Sequence, residues 1–160
     1  MSYDFTIDEI LKMAEEIERN GAAFYRSAAS GAPDKETGDL LEELAAMEDQ
    51  HEKTFAGMRG ELSAAEKESN IFDPENETAL YLKALADLRV FHEKTIDLSD
   101  LKAVLNDALD AEKDSIAFYV GMRGMVPERL GKKKIDGIIR EEMGHIVTLT
   151  DKLTSLKRGA

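Results

Sequence analysis

Apolar positions recur at helical spacing along four stretches of the chain. In the first, positions 7 to 29, Ile7, Ile10, Leu11, Ala14, Ile17, Phe24 and Tyr25 share one side, and Thr6 and Glu9 have the spacing of a capping box. Gly31, Ala32 and Pro33 predict its end. The second stretch, positions 35 to 58, carries Leu41, Leu44, Phe55 and Met58. The third, 100 to 122, carries Leu101, Val104, Leu105, Ala108, Ile116, Tyr119 and Val120, and a Gly- and Pro-marked turn follows at 124 to 127. The fourth, 132 to 156, carries Ile135, Ile138, Ile139, Leu149, Leu153 and Leu156. The segment between the second and third stretches is too long for a simple turn. It contains Asn70, Asp73, Pro74 and Asn76, then a periodic piece from Leu80 to Val90 that predicts a short helix. Two hairpins, about 6–60 and 100–157, joined by a crossover at about 61–99, predict an all-α fold. The expected architecture is a four-helix bundle in one domain spanning 1–160.

Each stripe is interrupted by polar residues at positions where the spacing demands apolar ones. The series 7, 11, 14, 18, 21, 25 places Glu18 inward, and the series 41, 44, 48, 51, 55, 58 places Glu48 and His51 inward. In the third helix the series 101, 105, 108, 112, 115, 119 does the same for Glu112. In the fourth, 135, 138, 142, 145, 149 does so for Glu142 and His145. One offset of 94 residues relates the two sets (112 − 18, 142 − 48 and 145 − 51). The same offset pairs Phe24 with Phe118, Tyr25 with Tyr119 and Thr54 with Thr148, and it pairs apolar Leu11, Leu41 and Phe55 with Leu105, Ile135 and Leu149. The chain therefore reads as a duplicated helical hairpin with an inserted crossover, whose pseudo-two-fold arrangement brings both halves of one polar site together.

Composition narrows the chemistry. With 42% apolar and 34% charged residues a folded protein is expected, and a net charge of −12 opposes a nucleic-acid or anionic-membrane partner. The opening residues lack a signal-peptide pattern, no apolar run approaches spanning length, and a cytoplasmic protein is expected. The absence of cysteine excludes a disulfide, a thiolate nucleophile, an iron–sulfur cluster or a thiolate-bound iron site within this chain. Burying four unpaired carboxylates would cost several kcal/mol each, of the order of a whole domain's stability. Two divalent cations supply about four positive charges against them, with one neutral imidazole left for each metal. Glu-x-x-His places both groups of a pair on one helix face, so each pair is expected to grip one metal, with Glu18 and Glu112 completing the shell or bridging.

A Glu from each of two helices and Glu-x-x-His from each of the other two is the ligand set of ferritin-like di-iron bundles. In that set, and in the Glu-to-Tyr spacing seen at Glu18/Tyr25 and Glu112/Tyr119, the chain resembles the ferritin-like superfamily, closest to its rubrerythrin-related branch. The resemblance covers nearly the whole chain. It implies Glu18, Glu48, His51, Glu112, Glu142 and His145 as ligands to two iron ions, although the same donors suit manganese or zinc. It further implies that Tyr25 and Tyr119 hydrogen-bond ligand carboxylates. Rubrerythrins usually carry another Glu three residues after the first in the third helix. Here that position is Ser115 and its repeat mate is Gly21, which leads us to expect open room beside the metals for dioxygen, peroxide or water. The sequence also carries no cysteine-rich rubredoxin domain, so the resemblance implies an external electron-donor protein, and it suggests a homodimer.

The function this implies is a non-haem di-iron oxidoreductase of the peroxidase or ferroxidase kind, reacting with dioxygen or hydrogen peroxide in oxidative-stress defence or iron handling. The alternatives are an iron-storage subunit of a ferritin-like cage and a metal-free helical interaction module. Glu141 is expected at the edge of its stripe or in solvent, His92 on the crossover surface, and Met13, Met47, Met58 and Met143 in core or near-core packing.

Overall fold

The computed structural model describes residues 5–68, 77–87 and 97–159. Six helices follow in order: α1 (Ile7–Ser30), α2 (Lys35–Gly60), α3 (Ala64–Glu68), α4 (Glu77–Asp87), α5 (Leu101–Arg123) and α6 (Glu128–Arg158). No strand is present among the described residues.

Local chemistry sets each boundary. The backbone N–H of Glu9 donates to Thr6 Oγ1 at 3.1 Å and that of Thr6 to Glu9 Oε2 at 2.9 Å, which closes the expected capping box on α1. Gly31 ends α1, and Asp34 starts α2 by accepting from the Thr37 N–H at 2.7 Å. Asp100 caps α5 in the same way through the Ala103 N–H. The fourth predicted helix begins earlier than its apolar period, at Glu128 after Pro127. Gly131, at φ 112°, turns that first segment into the regular helix, a conformation open to glycine and strained for other residues.

The crossover is richer than expected. Helix α3 escapes periodicity because it buries no side chain, although Ser63 and Glu66 form a second reciprocal cap at its start. Helix α4 begins three residues before the predicted Leu80. It packs on α5, where the Tyr81 ring occupies the space a side chain at Gly121 would need, and the Tyr81 hydroxyl donates to the Ala117 carbonyl at 2.6 Å. The predicted end of that helix at 88–90, the turn residues Asn70, Asp73, Pro74 and Asn76, and His92 lie outside the described residues.

Helices α1 and α2 pair along their lengths, as do α5 and α6, and the hairpins meet through α1 against α5 and α2 against α6. Their stripes bury two apolar clusters. Every long helix passes from one cluster to the other: α1 contributes Ile10 to Ile17 to one and Tyr25 and Ala28 to the other, and α6 contributes Ile135 to Ile139 and then Leu149 and Leu153. Phe55 and Leu41 of α2, and Met122 and Leu105 of α5, are divided likewise. The interrupting polar residues fall between the clusters on all four helices, so the fold seals them at both ends with side chains whose burial contributes about 1.5–3 kcal/mol each. Met58 is fully buried and Met13 packs against the first cluster, but Met47 and Met143 are exposed, as is Val120. Each of these three directly follows or precedes an inward residue and so sits about 100° away around its helix. No described helix is long and apolar enough to cross a membrane.

Candidate metal centre

Glu18 on α1, Glu48 and His51 on α2, Glu112 on α5, and Glu142 and His145 on α6 are all buried and converge in one cluster. Their donor atoms form two groups, Glu18, Glu48, His51 and Glu142 in one and Glu48, Glu112, Glu142 and His145 in the other. Within each group one atom per residue lies within 4.8 Å of all the rest. Glu48 and Glu142 belong to both groups, whereas Glu18 and Glu112 each belong to one. The carboxylates common to both groups are therefore those of the Glu-x-x-His pairs and not Glu18 and Glu112, and each hairpin's His faces the other hairpin's shared Glu. His51 Nδ1 lies 2.9 Å from Glu142 Oε1, and His145 Nδ1 lies 3.2 Å from Glu48 Oε1. The two imidazoles stack with centroids 5.9 Å apart.

These contacts are short, yet many are poorly directed as hydrogen bonds. Glu18 Oε2, Glu48 Oε1, both oxygens of Glu142 and His51 Nδ1 are buried without a hydrogen-bond partner among the described residues. Buried polar atoms left so are costly, and here their lone pairs point into shared space, the arrangement that suits a cation. In the protein's own electrostatics, protons stand in for that positive charge. Burial disfavours the imidazolium, but contacts with Glu142 and Glu18 outweigh it and hold His51 up at about 11. Contacts with Glu112, Glu142 and Glu48 likewise hold His145 at about 12. Burial and the neighbouring Glu142 charge push Glu48 well above the ordinary carboxyl range and raise Glu112 to about 8. Burial also acts to raise Glu142, but its contacts with Glu112, His145 and His51 win and hold it low.

Two tyrosines cross between the hairpins. Tyr25 of α1 donates to Glu112 Oε1 at 2.5 Å, and Tyr119 of α5 donates to Glu18 Oε1. Burial and the surrounding carboxylates push both phenols well above their ordinary value, so each remains a proton donor to the carboxylate it orients.

Sequence reading missed two features. Glu141, though half exposed, reaches the far nitrogen of His51, Oε2 to Nε2, at 2.6 Å. The signal was available in principle, because a ligating imidazole needs an acceptor behind it and Glu141 lies beside Glu142. The room expected beside Gly21 is also taken: a Cβ there would sit 2.9 Å from Glu48 Oε2, so the glycine makes space for that carboxylate rather than for a small molecule. Ser115, its repeat mate, is largely buried and donates to the Ala111 carbonyl at 2.9 Å.

The Rubrerythrin family model matches residues 9–153, which contain every residue of the cluster. The chain belongs to the Rubrerythrin family. Its fold is ferritin-like: the crystal structure of a Thermotoga maritima protein described as ferritin-like and diiron-carboxylate superposes with a TM-score of 0.70 at 25% identity, covering 96% of this chain and 98% of that one. Among curated proteins nothing matches the sequence. In this rubrerythrin-family chain the buried Glu and His cluster is compatible with a metal site.

Proposed function

We propose that the protein is a non-haem di-iron oxidoreductase acting on dioxygen or hydrogen peroxide. The observation that carries the reading is the pair of four-residue groups sharing Glu48 and Glu142, within a rubrerythrin-family fold and beside a structural relative described as diiron-carboxylate. Glu18, Glu48, His51 and Glu142 would hold one iron, and Glu48, Glu112, Glu142 and His145 the other. When bound, the iron pair supplies reversible electron exchange with the oxidant.

The chain's own residues do the rest. Glu48 and Glu142, common to both groups, would tie the two positions to one another. The two apolar clusters exclude bulk water, which strengthens every electrostatic contact inside. Tyr25 and Tyr119 keep a proton at Glu112 Oε1 and Glu18 Oε1, limiting how far those carboxylates swing and offering a proton where negative charge accumulates. Reduction then falls to an external donor protein, and we propose a homodimer in the cytoplasm as the working form.

The test is metal content per chain in protein expressed with added iron, together with the near-ultraviolet spectrum before and after peroxide. Two irons per chain and a ferric absorption that bleaches on reduction are expected. A folded protein without metal overturns the reading, and a large multi-subunit particle filled with iron would favour storage instead.

A further inference from the structure

The two halves of the centre present the same donor atoms inward but differ behind the imidazoles. His51 turns Nδ1 into the cluster, 2.9 Å from Glu142 Oε1 and 3.4 Å from Glu18 Oε2, which leaves Nε2 on the far side of the ring, where Glu141 Oε2 meets it at 2.6 Å. His145 also turns Nδ1 inward, 3.2 Å from Glu48 and Glu142 and 3.3 Å from Glu112. Its Nε2 is buried and has no hydrogen-bond partner among the described residues. The offset that relates the halves explains the difference, because the position equivalent to Glu141 is Met47 (141 − 94), and a thioether is a poor acceptor.

Resting on the di-metal reading above, we propose that Glu141 is a positioning residue that makes the two metal positions unequal, the His51 position binding tightly and the His145 position exchanging. A neutral imidazole that ligates through Nδ1 carries its hydrogen on Nε2. A carboxylate accepting that hydrogen selects this tautomer, fixes the ring plane and raises the basicity of the ligating nitrogen. Loss of such a partner typically costs about 10–100-fold in metal affinity. His51 has the partner and, among the described residues, His145 has none, although the inward donors otherwise match through the repeat. Glu141 meets the cluster at His51 Nε2 and its side chain is 55% exposed, so its contribution runs through His51 and not through core packing. The chain would thus load in order, one ion becoming resident before the second.

Cobalt(II) is the probe, titrated into the metal-free full chain and followed by visible absorption against a competing chelator. The wild-type chain is expected to bind two ions in two steps separated by about 10–100-fold. Glu141→Met, which copies the first hairpin into the second, should weaken the tight step by that factor and merge it with the weak one. Glu141→Gln, which keeps an acceptor oxygen, should restore part of the separation. Met47→Glu should strengthen the weak step and leave the tight one in place. Unchanged circular dichroism and melting of each metal-free variant separates this from a structural effect. Two equal steps in the wild type, or equal weakening of both steps by Glu141→Met, overturn the inference and leave the di-metal reading intact. A folded wild type that takes up no cobalt overturns the di-metal reading and this inference with it.

Discussion

The first hairpin, α1 with α2, and the second, α5 with α6, supply matching inward donors and matching tyrosines, yet they differ around them. The first buries an ion pair, Arg59 Nε to Glu15 Oε2 at 2.7 Å, where the second carries buried Leu109 and Leu153 at the equivalent positions. Gly21 in the first makes way for Glu48, whereas the second has Ser115. The first starts α2 with a capping aspartate, and the second enters α6 through Pro127 with no side-chain cap and a glycine kink. What the two halves keep in common is the donor set. What they vary is what surrounds it, two leucines of one apolar cluster standing where the other half has an ion pair.

The largest expected break in this comparison comes from the shared carboxylates. Glu48→Ala and Glu142→Ala should each weaken both metal positions by more than the roughly 100-fold that an outer partner is worth. Glu18→Ala and Glu112→Ala should each affect chiefly one. Metal counts after dialysis against a chelator check this, and a Glu48 variant that still holds two ions would contradict it.

Next comes the pH response of the metal-free protein. His51 and His145 sit above their ordinary value, so their stabilisation is complete below about pH 6.5 and lost as pH rises toward about 11 and 12. Glu112, raised to about 8, binds a proton in the folded chain that the unfolded chain has already lost, so it too opposes folding increasingly as pH rises from about 4.5 to 8. Glu142, held low, stabilises above the ordinary carboxyl range and loses that stabilisation as pH falls through it. The metal-free melting temperature should therefore drop between pH 6 and pH 9, and bound metal, which replaces those protons, should flatten the drop. Uptake of metal at pH 7 should also release protons, measurable by calorimetry in buffers of different ionisation enthalpy.

The ion pair offers a third contrast. Arg59→Leu alone strands the buried Glu15, and because Arg59 is about one-third exposed the loss should be about 1–3 kcal/mol rather than that of a fully buried pair. The double change Glu15→Leu with Arg59→Leu, copying the second hairpin, should recover most of it in a denaturant melt.

Gly21→Ala should displace the Glu48 carboxylate and lower metal affinity about tenfold, the low end for a disturbed supporting contact, with little effect on the metal-free melt. Ser115→Ala should do neither. Tyr25→Phe and Tyr119→Phe should each remove one hydrogen bond, worth about 0.5–1.5 kcal/mol in a melt, and the repeat predicts that the two losses are similar.

The four long helices, the Thr6 and Glu9 cap of the first and the six inward donors were legible in the amino-acid sequence. Burial periodicity, capping chemistry and an internal repeat are all encoded at short range or at one constant offset, as Thr6, Glu9 and the pairs from Glu18/Glu112 onward show. Helix α3 was not legible because it buries nothing, and Val120, Met47 and Met143 were misplaced because an apolar side chain one step off a stripe reads as part of it. Which carboxylates are shared, that Glu141 stands behind His51, and that Gly21 gives its space to Glu48 were decided only by tertiary structure. Each depends on how two helices lie against one another, and a helical period specifies which face a residue occupies but not what the facing helix places opposite it.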